Sequence, residues 1–342
     1  MNTKKLLQVL ACGIFACTTL PFAGLAQPTG KKITAQGNQG AFTVVVLPDT
    51  QCYADTRLSF SLKHWKQKDL HKNFLKQTEW IKENKDKLNI VMVLHVGDVV
   101  QADYDGEWQI ADQAFKTLDD VVPFCVAAGN HDMGFIPAKT FMSFPKFAAT
   151  RDTMYNKYFG PSRFEGKSWY GGHAGQGNEN SFYLFTHGGL KFIVVSLEFK
   201  PRDESIAWAN KVVSEHRDRR CIILTHGYLD ENNVPSAKLD YGVEGNAGAA
   251  IWEKCASQHS NIFMVVCSHE YGERRLASLG INSNTVYQIS ANYEDQKGGQ
   301  AFLRTMQFLP GQNRIDVRTY SPALDKYLTG TNSQFSLNYP LK

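Results

Sequence analysis

Residues 89–101, NIVMVLHVGDVVQ, and residues 121–132, VVPFCVAAGNHD, decide the fold. Each is an apolar run of strand length that stops at a glycine followed by Asp or Asn. An apolar run without alternation is the pattern of a strand covered on both faces. Three other stretches repeat it: Ala41–Leu47, Arg220–Leu224 and Asn261–Cys267. Helical spacing fills the intervals. Leu62, Trp65, Leu70, Phe74, Trp80 and Ile81 mark a helix within Leu58–Leu88. Trp108–Leu118, Asp203–Glu215 and Asn246–Ala256 mark others, the last capped by Asn246. Strand and helix in alternation predict βαβ units and a parallel sheet. Ser181–Thr186 and Leu190–Leu197 flank His187-Gly188-Gly189 as a hairpin. Residues 133–180 read as a loop insertion with a short helix. Beyond Arg274 the pattern is mostly strand, at Thr285–Ser290, Ala301–Leu309 and Arg314–Tyr320, before a loose tail over 321–342.

The polar residues cluster where the apolar runs end. The five runs are followed in turn by Asp49-Thr50-Gln51, Gly97-Asp98, Gly129-Asn130-His131-Asp132, Thr225-His226 and Ser268-His269-Glu270-Tyr271. Taken singly, each is a turn residue, a cap or a structural histidine. Together they bring carboxylates, an amide oxygen and imidazoles to the carboxyl-end rim of the sheet, where open α/β folds bind ligands. Such donors suit Mn, Fe or Zn, and two ions can share a bridging carboxylate.

In this order the motifs resemble the calcineurin-like metallophosphoesterases, over about residues 41–275, with the GNHD of 129–132 as the most specific piece. They look like a secreted bacterial branch whose first motif reads DTQ. The resemblance implies a four-layer α/β/β/α sandwich: two packed β-sheets flanked by helices. It implies a metal-dependent hydrolase of phosphoesters that uses a metal-bound hydroxide at a centre of two divalent or transition ions (Mn, Fe or Zn). Asp98 would bridge the ions, Asn130, His226 and His269 would complete one site, and Asp49 would anchor the other. His131 would serve the leaving group, and Asp132 would orient His131.

The chain departs from the family pattern on one side. Gln51 stands where the first motif supplies a histidine, and Tyr271 where the fifth supplies its second. Gln101 stands where Asp is frequent in the second. The Asp49 site is thereby thinned to carboxylates, with Gln51 as an amide ligand and Tyr271 as a ligand, a packing residue or a substrate contact. Glu270 and Glu273 offer carboxylates on the same loop. Two functions follow: an esterase with one firm and one weakened ion, or a catalytically degenerate module that binds a metal or ligand on the same fold. Arg202, Arg274 and Arg275 are candidate phosphate contacts, and Tyr170 and His173 candidate pocket walls.

Composition sets the outer bounds. Of 342 residues, 43% are hydrophobic and 20% charged, an ordinary globular balance that excludes disorder and coiled coil. The net charge of +4 excludes a strongly basic nucleic-acid binder, and no nucleic-acid surface is evident. There is no GxSxG elbow, Walker A loop or HExxH. Lys4 and Lys5, an apolar run to Leu20 and Gly24-Leu25-Ala26 read as a signal peptide over 1–26. This predicts export to the periplasm or outside the cell, with a lipoprotein anchored at Cys17 as the minor alternative. The run is too short and too interrupted to span a bilayer, and no later stretch is long enough. A linker over 27–40 then leads to a metallophosphoesterase domain over 41–320. Five cysteines remain without a CxxC pair, an odd number that leaves at least one unpaired within the chain.

Overall fold

The computed structural model describes residues 40–56, 70–134, 153–238 and 243–341. The expected signal segment, nearly all of the linker, residues 58–69 of the expected first helix and much of the 133–180 insertion lie outside them. Two mixed sheets of seven strands each pack face to face, with helices outside. In the first, β1 (Phe42–Leu47), β2 (Ile90–His95) and β3 (Phe124–Val126) run parallel. Beside β1 lie β11 (Leu303–Leu309) and then β12 (Arg314–Ser321), both antiparallel. The second sheet orders β4 (Tyr170–His173), β5 (Ser181–His187), β6 (Leu190–Ser196), β7 (Arg220–Gly227), β8 (Ile262–Ser268), β10 (Thr285–Asn292) and β9 (Gly272–Leu279).

The sheets are mixed where the sequence predicts a parallel sheet. Connection length is the reason. β11 reaches β12 through the single turn Pro310–Gln312 and the left-handed Asn313, and so short a link joins only antiparallel neighbours. The loose tail is also corrected. β13 (Lys326–Leu328) and β14 (Gln334–Asn338) both pair with β12, and Phe335 and Leu337 are buried. Their alternation covers only two apolar residues, too few to stand out in sequence.

Side-chain alternation explains the layers. Along β6, Phe192 and Val194 point to the core between the sheets, while Ile193 and Val195 join a second cluster. β7 and β8 divide the same way: Ile222, Leu224, Met264 and Val266 face inward, Cys221, Ile223, Val265 and Cys267 outward. The outward set packs on α3 (Asp203–Glu215) through Ile206, Ala209, Val212 and Val213, and on Ile251 of α4 (Gly248–Ile251). Between the sheets Phe42 stacks on Phe308 at 4.7 Å, and Phe192 meets both rings edge-on at 5.6 and 5.5 Å. Each such ring contributes roughly 1.5–3 kcal/mol by burial. The first sheet's outer face is covered by α1 (His71–Asn84) and α2 (Asp105–Lys116), whose Phe74 and Phe115 rest against His95. Among the described residues all five cysteines are buried and unbridged.

Candidate metal centre

Every strand that carries a motif ends at the same rim. Two glycines let the loops there touch. A Cβ on Gly129 would lie 2.1 Å from the Asp98 carboxylate, and one on Gly97 would lie 2.9 Å from the Gly129 nitrogen. Asp98 itself takes φ of 52°, left-handed backbone that is uncommon outside glycine. Asp132 fastens the arrangement. Its buried carboxylate accepts the N–H groups of Val99 (2.9 Å), Val100 (3.1 Å) and Gly129 (2.9 Å), tying the loop after β2 to the loop after β3. Burial and the nearby Asp98 push the Asp132 carboxyl up to about 7, although those three N–H donors pull it down. A second fastening begins at His95. Gly97 N–H donates to its Nδ1, so Nε2 carries the proton and donates to Thr50 Oγ1 at 2.9 Å. Thr50 passes the chain on to the Val99 carbonyl. Burial first, then the charge of His226, lowers the His95 pKa to about 3, so the ring is neutral.

Asp98, His226 and His269 converge: one donor atom from each lies within 4.8 Å of the others. His226 Nδ1 donates to the Val96 carbonyl at 2.9 Å, so Nε2 faces inward, 3.0 Å from Asp98 Oδ2 and 3.1 Å from His269 Nδ1. Phe199 packs against both rings. Two imidazole nitrogens aimed at each other need a proton or a cation between them. Burial alone would lower the His226 pKa, but Asp98 and Asp49 outweigh it and hold it up at about 10. For Asp98, burial is likewise outweighed by His226, His131 and His269, which hold the carboxyl far below its usual range. Beside the cluster, the buried Asn130 Oδ1 has no hydrogen-bond partner. Two ring nitrogens, a carboxylate and an orphaned amide oxygen fit a divalent transition ion.

Asp49 lies on the other flank. Its Oδ1 accepts the Ser268 hydroxyl and its Oδ2 the Asn292 amide at 2.6 Å. Burial, together with Glu294 and Asp98, raises its pKa despite the opposing His226. Gln51 Oε1 is buried here without a partner. Glu294, also buried, is the residue that sequence reasoning missed. A usable signal existed, because Glu294 closely follows the apolar run Thr285–Ser290, as the other rim residues follow theirs. β10 runs parallel to β8 and so ends at the same edge.

A cavity of about 240 Å³ opens over the centre, lined by Gln51, Asp98, Asn130, His131, His269, Glu270, Tyr271 and Glu294. Tyr271 stands at its mouth, half exposed. His131 donates from Nδ1 to the Gln101 carbonyl at 2.7 Å. That carbonyl fills the orienting role that the sequence reading gave Asp132, whose carboxylate is taken up by the three backbone N–H groups. Glu273 is no substitute ligand: it pairs with the buried Arg304 at 2.8 Å. The three arginines, Tyr170 and His173 also turn elsewhere. Arg202 meets Glu198 and Glu204, Arg274 the Glu270 carbonyl, and Arg275 the Phe335 ring. Tyr170 bonds Asn178 and stacks on His173. None of these five lines the cavity.

Residues 69–273 match the family described as calcineurin-like phosphoesterase. The uncharacterised protein YvnB of Bacillus subtilis (strain 168) is 33% identical over 316 residues, 88% of this chain. The chain spans only 22% of that relative's length. Among solved structures, the purple acid phosphatase PPD1 from yellow lupin (Lupinus luteus) seeds superposes with a TM-score of 0.53 at 12% identity. The match covers 87% of this chain and 54% of the lupin chain, and it is a likeness of fold. The 5'-nucleotidase precursor from Thermus thermophilus gives a TM-score of 0.41 at 14% identity, over 87% of this chain and 54% of that one.

Proposed function

From a chain that belongs to the calcineurin-like phosphoesterases, we propose a metal-dependent hydrolase of phosphoesters with two unequal ion sites. The observation that carries this reading is the convergence of Asp98, His226 and His269 beneath a polar cavity that also holds His131. Asp98, Asn130, His226 and His269 would hold the firm ion; Asp49, Gln51 and the shared Asp98 would hold the weaker one. Bound divalent ions neutralise charge on a phosphoryl group and make water a nucleophile near neutral pH.

The chain's own residues supply the rest. Among the described residues no lysine or arginine lines the cavity, and His131 is the side chain placed to meet the charge that develops on the leaving oxygen. With Nδ1 committed to the Gln101 carbonyl, its Nε2 hydrogen-bonds or protonates that oxygen. Asp132 keeps the loops of Asp98 and His131 in register. The Phe199 ring covers the two metal-side histidines and excludes water from their flank.

The test is hydrolysis of aryl phosphate mono- and diesters by the chain from Gln27 onward, with Mn, Fe or Zn added and Asp98→Asn as the control. Turnover no greater than the control's, with an ion still bound, refutes the enzyme and leaves a metal-binding module. Export belongs to the same proposal. Among the described residues no helix is long and apolar enough to cross a membrane. Sequencing the amino terminus of the exported protein checks cleavage before Gln27 against anchoring at Cys17.

A further inference from the structure

We propose that Glu294 is a metal ligand, and that with Asp49, Asp98 and the Gln51 amide it forms an oxygen-only cation site beside the imidazole-containing one. The proposal rests on the metal-dependent reading above and replaces the thinned site that the motifs imply with a complete one of different chemistry.

Four observations carry it. The first is the absence of a cationic partner. Glu273 and Glu294 are both carboxylates enclosed by the fold, but Glu273 has Arg304 at 2.8 Å. Among the described residues, neither Asp49, Asp98 nor Glu294 forms an ion pair with a lysine or arginine, and His226 is the ring paired with Asp98. Asp49 and Glu294 are thus buried carboxylates with imidazoles alone for cationic neighbours, which costs several kcal/mol unless a proton or a cation joins them.

The second is Gln51. Its Oε1 is buried, bonds nothing in the protein, and belongs to a side chain that lines the same cavity as Asp98 and Glu294. An orphaned amide oxygen beside carboxylates is a donor without a recipient.

The third is spacing. One amide nitrogen, Asn292 Nδ2, donates to Asp49 Oδ2 at 2.6 Å and to Glu294 Oε2 at 3.0 Å. The two carboxylates are thus held side by side. Asn292 Oδ1 in turn accepts the Glu294 N–H at 2.9 Å, which turns the chain after β10 and directs the carboxylate inward.

The fourth is capacity. Glu294 accepts from the Cys52 thiol at 3.1 Å and from Asn292, one contact on each oxygen. A carboxylate has about four lone-pair positions, so both oxygens can still ligate. Carboxylate and amide oxygens without nitrogen select a hard cation, Mn²⁺ or Mg²⁺, whereas the His226–His269 side suits Zn²⁺ or iron. The two ions of this centre would therefore differ in kind.

The experiment is an Mn²⁺ titration of the chelator-stripped chain, with free ion counted by electron paramagnetic resonance and melting followed in parallel. The wild-type chain binds two Mn²⁺. Glu294→Gln weakens one of them by at least about tenfold, a typical cost of disturbing a metal site, and keeps the other. Cys52→Ala removes a donor to Glu294 but no ligand, and keeps both. Gln51→Leu deletes an oxygen that bonds nothing in the protein, so it leaves the fold intact and weakens the same ion should Glu294→Gln fail to fold. Wild-type Mn²⁺ affinity in folded Glu294→Gln, or in Gln51→Leu, overturns the proposal, as does a single ion in the wild type. The readout counts ions rather than turnover. Two ions without hydrolysis would refute the catalytic reading alone, and hydrolysis with one ion would refute this one alone.

Discussion

Replacing Asp132 by asparagine separates two roles open to this carboxylate, tethering the backbone of two loops and orienting His131. In this fold it accepts three backbone N–H groups, from Val99, Val100 and Gly129, at 2.9 to 3.1 Å. Hydrogen bonds to a charged group contribute roughly 1.5–3 kcal/mol each. Asparagine keeps one oxygen, which can retain the Val99–Val100 pair or the Gly129 bond, and sets an amide donor against the remaining N–H. The loss of one charged bond and a donor facing a donor gives a gross cost of about 3–5 kcal/mol. Relief of the buried charge, which already raises this carboxyl to about 7, returns part of it. The expected net destabilisation is about 2–3 kcal/mol. Urea unfolding followed by near-ultraviolet circular dichroism measures it, as a lower midpoint with an unchanged slope. Activity falls too, because Asp98 and His131 sit on the two tethered loops. A variant within about 0.5 kcal/mol of wild type, yet with an altered pH–rate profile, would refute the tether. It would return Asp132 to the role of orienting His131.

Three further outcomes follow from the same geometry. His131→Gln lowers kcat by about 10²–10⁴ while bound metal, read by mass spectrometry, is unchanged, because His131 is not among the converging ligands. His226→Ala loses the firm ion, and its melting temperature no longer rises with added Zn²⁺ as the wild type's does. Glu273→Gln leaves the guanidinium of Arg304, 1% exposed, without its carboxylate and costs about 3–5 kcal/mol. This last change also alters the acid limb. Burial raises the Glu273 carboxyl, but Arg304 and the hydroxyls of Ser333, Thr319 and Tyr293 outweigh it and depress it below 4.5. A depressed carboxyl stabilises the fold above its unfolded pKa and loses that contribution as pH falls through the folded one. Wild-type stability therefore drops below about pH 4.5 more steeply than that of Glu273→Gln, as equilibrium unfolding across pH 3–6 would measure.

The strands and the helices that carry the core are local facts. A buried strand is a continuous apolar run and a packed helix a 3.6-residue period, so β1, β2, β8 and α3 are legible from the chain alone. The same holds for Asp98, Asn130, His131 and His226, because each follows its run at once. β14 is not legible, since two alternating apolar residues are a pattern that chance supplies often.

Residues 89–101 and 121–132 by themselves determine that two buried strands end in a glycine and a polar donor, and hence that a site lies at their rim. They cannot determine which atoms face one another across it. Only the tertiary structure decides that Asp132 binds backbone N–H groups, that the Gln101 carbonyl orients His131, and that Glu294 lies beside Asp49. The reason is physical. A hydrogen bond or a shared cation depends on separations in space, and Asp49 and Glu294 both contact the Asn292 amide although 245 positions separate them along the chain.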